Sequence, residues 1–301
     1  MKRGQSENTG DGAARDTSRG GRRRHLDDAM AASTGELLCV VVEVSPRCAV
    51  SSSGAEFRRV VEATLALRNA HLMCHHSGEF VCCAALPGST RYAAAPRSGG
   101  GAGSALATAL LDAAEAARDR DEAPATAAAV ARSLCYARKR VAAAPPGADV
   151  GGARLLLLKL ADDDAAQYNA TMNGIFAASR YGVVVDAASL AAKPSSLMKQ
   201  AAHLTGGVFL HVAPAKLDQL LASALATFAA DASCRKSLNL PFLEEADFRV
   251  SCFCCSPPNT LDRAWVCTVC LSVYCSQDKG PCPCTAALRA AAAKAAGTKA
   301  S

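Results

Sequence analysis

The chain has 301 residues, a net charge of +6 at neutral pH and 50% apolar residues, many of them alanine, with aromatic residues at only 5%. That length suits one sizeable α/β domain with a small appendage, and the dispersed charge gives by itself no nucleic-acid footprint. No apolar run approaches the roughly 20 residues that cross a bilayer, so the chain is expected to be soluble, with no membrane partner.

Residues 1–34 are polar and mix Arg22, Arg23 and Arg24 with Glu7, Asp11, Asp16, Asp27 and Asp28. They contain neither the apolar stretch of a secretory signal nor the acid-poor composition of a transit peptide, and read as a disordered basic tail. The arginine triplet suits nuclear import or a nucleic-acid contact, although a solvated tail carries such clusters too.

From Gly35 short apolar runs alternate with longer amphipathic stretches. Residues 37–44 form a near-continuous apolar run, the pattern of a strand buried on both faces. Phe57, Val60, Val61, Thr64, Leu65 and Leu67 recur at helical spacing and predict a helix over 56–70, followed by a strand over 80–86 closed by Pro87-Gly88. The Gly-, Ser- and Ala-rich stretch 88–103 is expected to be a flexible loop. Helices follow over 104–121 and 125–143, the second stopped by Pro145-Pro146-Gly147. Strands over 154–160, 183–186 and 208–212 then alternate with helices over 165–180, 195–205 and 217–230. This alternation calls for an α/β fold, a doubly wound, mainly parallel sheet of Rossmann type spanning residues 35–231.

In such a sheet the binding crevice lies at the carboxyl ends of the strands, near the point where strand order reverses. Glu43, Val44, Ser45, Pro46 and Arg47 occupy the end of the first strand. Their spacing matches an Asp-x-Ser-x-Ser cation motif at the first and third positions, but Arg47 places a fixed positive charge at the fifth. Asp162, Asp163 and Ser104 are further candidate oxygen ligands. The expected outcome is a solvated strand end whose ion site has decayed.

Fifteen cysteines are present, and without a secretory signal they point to metal rather than to disulfides. Eight fall between Cys252 and Cys284; the other seven, Cys39, Cys48, Cys74, Cys82, Cys83, Cys135 and Cys234, are expected to be small buried apolar residues. The eight are Cys252, Cys254, Cys255, Cys267, Cys270, Cys275, Cys282 and Cys284. Closely spaced cysteines present their sulfurs to one ion, and zinc suits a thiolate tetrahedron. Cys267, Cys270, Cys282 and Cys284 make the better-supported site; Cys252, Cys275 and one or both of Cys254 and Cys255 make a second. So short a segment buries little apolar surface, and structural zinc can supply roughly 10–16 kcal/mol of apparent binding energy to such a module. Residues 249–285 therefore read as a small cysteine-rich zinc module after a linker over 232–248, and 286–301 as an Ala/Lys-rich tail.

Several stretches resemble the small von Willebrand A/zinc-finger subunit family of transcription and DNA-repair factor TFIIH. They are Leu-Leu-Cys-Val-Val-Val-Glu-Val-Ser-Pro at 37–46, Gln167-Tyr168 with Met172-Asn173-Gly174-Ile175-Phe176-Ala177-Ala178, Leu204-Thr205-Gly206-Gly207, and 238–241. Most specific are Cys252-Phe253-Cys254 and Val266-Cys267-Thr268-Val269-Cys270-Leu271-Ser272-Val273-Tyr274-Cys275. Two positions depart from the family pattern: Cys255 stands where a histidine is common, and Cys282-Pro283-Cys284 has one intervening residue where two are usual. The resemblance implies a von Willebrand A-like body and a non-catalytic, nuclear structural subunit of the TFIIH core, acting in RNA polymerase II transcription initiation and nucleotide excision repair. It implies pairing with the larger von Willebrand A/RING-like subunit and, through it, support of the XPD helicase.

Two other functions compete. A RING-type ubiquitin ligase also uses paired cysteine knuckles, but the spacing lacks the central histidine and long second loop. A zinc-dependent DNA-binding module would need cations, and between Cys252 and Cys284 only Arg263 and Lys279 stand against Asp262 and Asp278, so direct nucleic-acid binding is not expected. Cys74, His75 and His76 read as a helix end rather than a hydrolase centre, with no orienting acid evident.

Overall fold

A computed structural model of the chain describes residues 35–46, 48, 50, 54–75, 77–94, 102–120, 122–143, 151–230, 234–238, 240, 250–252, 254–255, 259–267, 272–276, 282 and 284. The tail 1–34 with Arg22–Arg24, the segment 286–301, and Arg47, His76, Cys270 and Lys279 lie outside the described residues.

Apolar runs of the kind that can be buried on both faces form the centre of a six-stranded sheet. Its strands are β1 (Leu37–Glu43), β2 (Glu79–Leu86), β3 (Ser89–Ala94), β4 (Ala153–Lys159), β5 (Val184–Ser189) and β6 (Phe209–His211), in the spatial order β3-β2-β1-β4-β5-β6. All neighbours are parallel except β2 and β3. Six α-helices connect them: α1 (Gly54–Cys74), α2 (Ala102–Ala117), α3 (Thr126–Ala143), α4 (Tyr168–Arg180), α5 (Ser196–Thr205) and α6 (Leu220–Phe228).

Because side chains alternate across a strand, β1 divides its residues between two cores. Leu38, Val40 and Val42 join Val60, Leu106 and Leu220 from α1, α2 and α6. Leu37, Cys39 and Val41 join Val130, Ile175 and Met198 from α3, α4 and α5. The doubly wound, mainly parallel sheet is therefore the one expected.

One element departs from expectation. Stretch 88–103 contains β3, paired antiparallel with β2 from Leu86↔Ser89 onward. Gly88, at φ 63°, lets the chain reverse after Pro87, and Thr90 and Tyr92 suit an edge strand whose outer face meets solvent. The glycines that signalled a loop lie mainly beyond this hairpin.

The cysteine-rich segment contributes two short antiparallel pairs, β7 (Val250–Ser251) with β8 (Thr260–Leu261), and β9 (Trp265–Val266) with β10 (Val273–Tyr274). Among the described residues no helix is long and apolar enough to cross a membrane.

Candidate functional site

The strand order reverses between β1 and β4, and Glu43 and Lys159 end those two strands. They meet inside a crevice of about 400 Å³ that Pro124, Asp163 and Gln167 also line. Glu43 is 1% exposed. Its Oε1 accepts from Thr126 Oγ1 at 2.6 Å and from Lys159 Nζ at 3.1 Å, and its Oε2 accepts from the backbone N–H groups of Leu160 and Ala161, each at 3.0 Å. Four donors thus surround the carboxylate that a metal motif would offer to an ion.

Lys159 occupies the cation's role. Its ammonium also donates to the Asp162 carbonyl at 3.3 Å and stands 3.7 Å from Asp163 Oδ1. Burial alone lowers the amine's pKa, but the Glu43 and Asp163 carboxylates outweigh it and hold the group above the ordinary lysine value. A divalent ion here would have to displace a buried, paired ammonium.

The other expected ligands are engaged elsewhere. Asp163 accepts from Ser195 Oγ and from the Leu197 N–H, tying it to the start of α5. Ser45 Oγ donates to the Glu122 carbonyl at 3.2 Å. Ser104 is exposed on α2, away from the crevice lining. Arg47, the residue expected to oppose an ion, lies outside the described residues; among those described it is Lys159, expected only as part of a strand, that pairs with Glu43. The available signal was a lone lysine closing Leu155-Leu156-Leu157-Leu158 at a strand's carboxyl end.

Gln167 and Tyr168 hold this region together. Gln167 Nε2 donates to the Pro124 carbonyl at 2.8 Å and to Asp164 Oδ2 at 3.0 Å, its Oε1 accepts from the Ala127 N–H, and Tyr168 Oη donates to Gln200. The pair locks the starts of α3 and α4 and links α4 to α5.

The cysteine-rich segment gathers its sulfurs into two groups. Ligand atoms of Cys252, Cys254, Cys255 and Cys275 lie within 4.8 Å of one another, as do those of Cys267, Cys282 and Cys284. Cys254 and Cys275 are 3.3 Å apart, Cys255 and Cys275 3.6 Å, Cys254 and Cys255 4.0 Å, Cys267 and Cys284 3.7 Å, and Cys282 and Cys284 3.3 Å. A tetrahedron of thiolates at zinc–sulfur bond lengths has edges of about 3.8 Å, so the donor sets fit that ion. The groups interleave along the chain: Cys267 of the second group directly follows β9, and Cys275 of the first directly follows β10.

Amide N–H groups point at the sulfurs. Asn259 donates to Cys252 and Cys275 donates to Cys254, each at 3.4 Å, while Asn259 Nδ2 reaches Cys255 at 3.7 Å. The Cys275 N–H leads in drawing the Cys254 thiol down to about 7. Hydrogen bonding to Cys254 and Cys255 pushes Cys275 up to about 12. Sulfurs this close could all be thiolates only with a cation among them, so the four could hold a metal ion.

The scattered cysteines divide. Cys39, Cys48, Cys82 and Cys83 are buried as expected, whereas Cys74, Cys135 and Cys234 are exposed. Cys135 is an exposed position of amphipathic α3, and Cys74 closes α1, the helix end expected there. His75 does have an acid beside it, because Glu36 Oε2 lies 3.0 Å from its Nε2.

The sequence model of the family described as "Transcription factor Tfb4" matches residues 103–286. "General transcription factor IIH subunit 3" of Dictyostelium discoideum is 37% identical over 131 residues, 44% of this chain and 34% of that protein. "General transcription and DNA repair factor IIH subunit TFB4" of Arabidopsis thaliana is 39% identical over 126 residues, 42% of this chain and 40% of that protein. The matched stretch thus spans 34–40% of the length of these relatives. Among solved structures, the TFIIH p34 N-terminal domain superposes with a TM-score of 0.54 at 23% identity, covering 64% of this chain and 97% of that domain, a likeness of fold.

Proposed function

The chain belongs to the Tfb4 family, and from that premise we propose that it is a non-catalytic structural subunit of the TFIIH core. In this reading a von Willebrand A-like body over 35–231 and a zinc module over 249–285 are joined by the linker 232–248. The subunit works in the nucleus, in RNA polymerase II transcription initiation and in nucleotide excision repair. Its contacts are with other TFIIH core subunits, above all the larger von Willebrand A/RING-like subunit, and through it with the XPD helicase.

The single observation that carries this reading is the family match, which runs from α2 through both sulfur groups and so embraces body and cysteines together. The crevice agrees with it: at the place where an α/β sheet binds a ligand, the buried carboxylate is held by the chain's own Lys159. Zinc would be held by Cys252, Cys254, Cys255 and Cys275 at one site and by Cys267, Cys270, Cys282 and Cys284 at the other. Bound there, the ion supplies folding energy to a segment with little apolar surface. Trp265 and Val266, 54% and 52% exposed on β9, are large apolar side chains offered to a partner.

The test is purification of the tagged full chain at native level, with mass spectrometry of the co-eluting proteins and metal analysis of the reduced protein. Recovery of the other core subunits with two zinc ions per chain is expected. Recovery without them, or a chain free of zinc, overturns the assignment.

A further inference from the structure

A third group of metal-capable side chains lies at the amino-terminal edge of the sheet, at the opposite end from the crevice. Glu36 immediately precedes β1, His71 sits in the last turn of α1, and His75 follows it one helical turn on. One ligand atom from each lies within 4.8 Å of the others. We propose that Glu36, His71 and His75 form a binding site for a divalent transition ion of the zinc type, separate from the cysteine groups.

The hydrogen-bond pattern suits a metal-ligand set. His71 is 1% exposed, and its Nε2 stands 3.1 Å from both the Glu36 and the Glu79 carbonyl oxygens. Carbonyls only accept, so Nε2 carries the proton and donates, which leaves the Nδ1 lone pair free. That Nδ1 is buried and makes no hydrogen bond among the described residues; Glu36 Oε2 and His75 Nε2 make no regular hydrogen bond either, and face each other at 3.0 Å. Metal-bound histidines characteristically donate their other ring N–H to a backbone carbonyl, which fixes tautomer and ring orientation.

The geometry of His75 and Glu36 is also suitable. His75 Nε2 and Glu36 Oε2 are 3.0 Å apart, against about 3.3 Å for the edge of a tetrahedron built on zinc–nitrogen and zinc–oxygen bonds. The two imidazoles, with centroids 4.8 Å apart and planes tilted by 42°, are not stacked face to face. Arg154 donates to the other oxygen, Glu36 Oε1, and so holds the carboxylate with Oε2 turned to the histidines. The charge of that arginine is answered by Glu36 and by Asp186 at 3.9 Å. Two imidazoles and one carboxylate select zinc, cobalt or nickel over magnesium or calcium. The ordinary alternative is a plain ion pair between a protonated His75 and Glu36.

The test uses the full chain, purified with its cysteine groups loaded and passed over a chelating resin. Zn2+ is then added while the imidazole 15N resonances of the six histidines are followed. Two ring systems are expected to shift saturably with one added equivalent. Glu36→Gln and His75→Gln should each weaken that binding by at least about tenfold, with an unchanged circular dichroism spectrum. Rings that do not respond to zinc, or a response that survives both substitutions, overturn the site. If His75→Gln does not fold, the unmodified chain and Glu36→Gln decide between the same outcomes.

Discussion

Lys159 and Glu43 are each at most 4% exposed, and the Glu43 carboxylate helps to hold the buried Lys159 amine in its charged form. Removing one partner of such a buried pair strands the remaining charge, at a cost of about 3–5 kcal/mol, whereas replacing both with uncharged groups is often near neutral. Lys159→Met is therefore expected to lower unfolding free energy in urea by that amount, and Lys159→Met with Glu43→Gln to recover most of it. The raised lysine pKa adds a pH signature. Its stabilisation is fully present below about 10.5 and is lost as pH rises through the folded value. The stability gap between the native chain and Lys159→Met should narrow in that alkaline range.

His71 provides the opposite sign. Burial, followed by the nearby His75 and Arg154 charges, lowers its pKa to about 4 from an ordinary 6.5. In metal-free protein the folded state thus binds fewer protons than the unfolded chain across that interval. Stability should hold above pH 6.5 and fall as pH drops toward 4. Urea titrations at pH 7 and pH 4.5 check this: the native chain should lose more stability between the two than His71→Gln, and an equal loss would dismiss the role of the buried neutral ring.

At the scale of elements, the short helix α5 shows how motif residues act. Ser195 Oγ accepts from the Met198 N–H at 3.1 Å, and Gly206 ends the helix at φ 70°. A Cβ on Gly207 would lie 2.0 Å from the Val185 carbonyl oxygen, so the chain passes β5 only because that residue has no side chain. Ser195→Ala is expected to cost about 1 kcal/mol. Gly207→Ala should cost more, because the obstacle is backbone that must shift. Thermal melts of the two variants, compared in that order, test the assignment.

Elements such as α5 were legible because cap residues and apolar period agree locally. The same holds for β1 and β4, whose uninterrupted apolar runs fit a parallel sheet covered on both faces. Edge strand β3 was not legible, since its exposed outer face gives a weak pattern and the glycine-rich residues after it dominated the reading. The site divided in the same way. Cys252, Cys275 and one or both of Cys254 and Cys255 were expected to share a site from their cysteine chemistry, and all four sulfurs gather. The partnership of Lys159 with Glu43, 116 positions apart, is set by strand order, and the convergence of Glu36 on His71 and His75 depends on where α1 returns to the sheet. No local pattern carries either.

At the scale of the whole molecule, a chain of buried charges ties the sheet to the residues that lead toward the cysteines. Arg235, in the 3-10 turn Cys234–Ser237, donates to both carboxylate oxygens of Asp186 at 2.6 Å. Asp186 is fully buried on β5 and also accepts from the Val208 N–H at 2.9 Å. Arg154 on β4 reaches the Phe228 and Ala230 carbonyls at 3.1 and 2.9 Å, closing the end of α6 against the sheet. A bidentate, desolvated arginine–carboxylate pair fixes orientation as well as energy. Here it fixes where the chain departs after α6. Arg235→Ala leaves the Asp186 carboxylate buried without its main partner and should cost about 3–5 kcal/mol. The loss should begin locally: amide exchange is expected to accelerate first in 234–240 and at the end of α6, with β1 and β4 protected until global unfolding. Uniform acceleration across the sheet would show instead that Arg235 supports the core as a whole and does not anchor the exit of the chain.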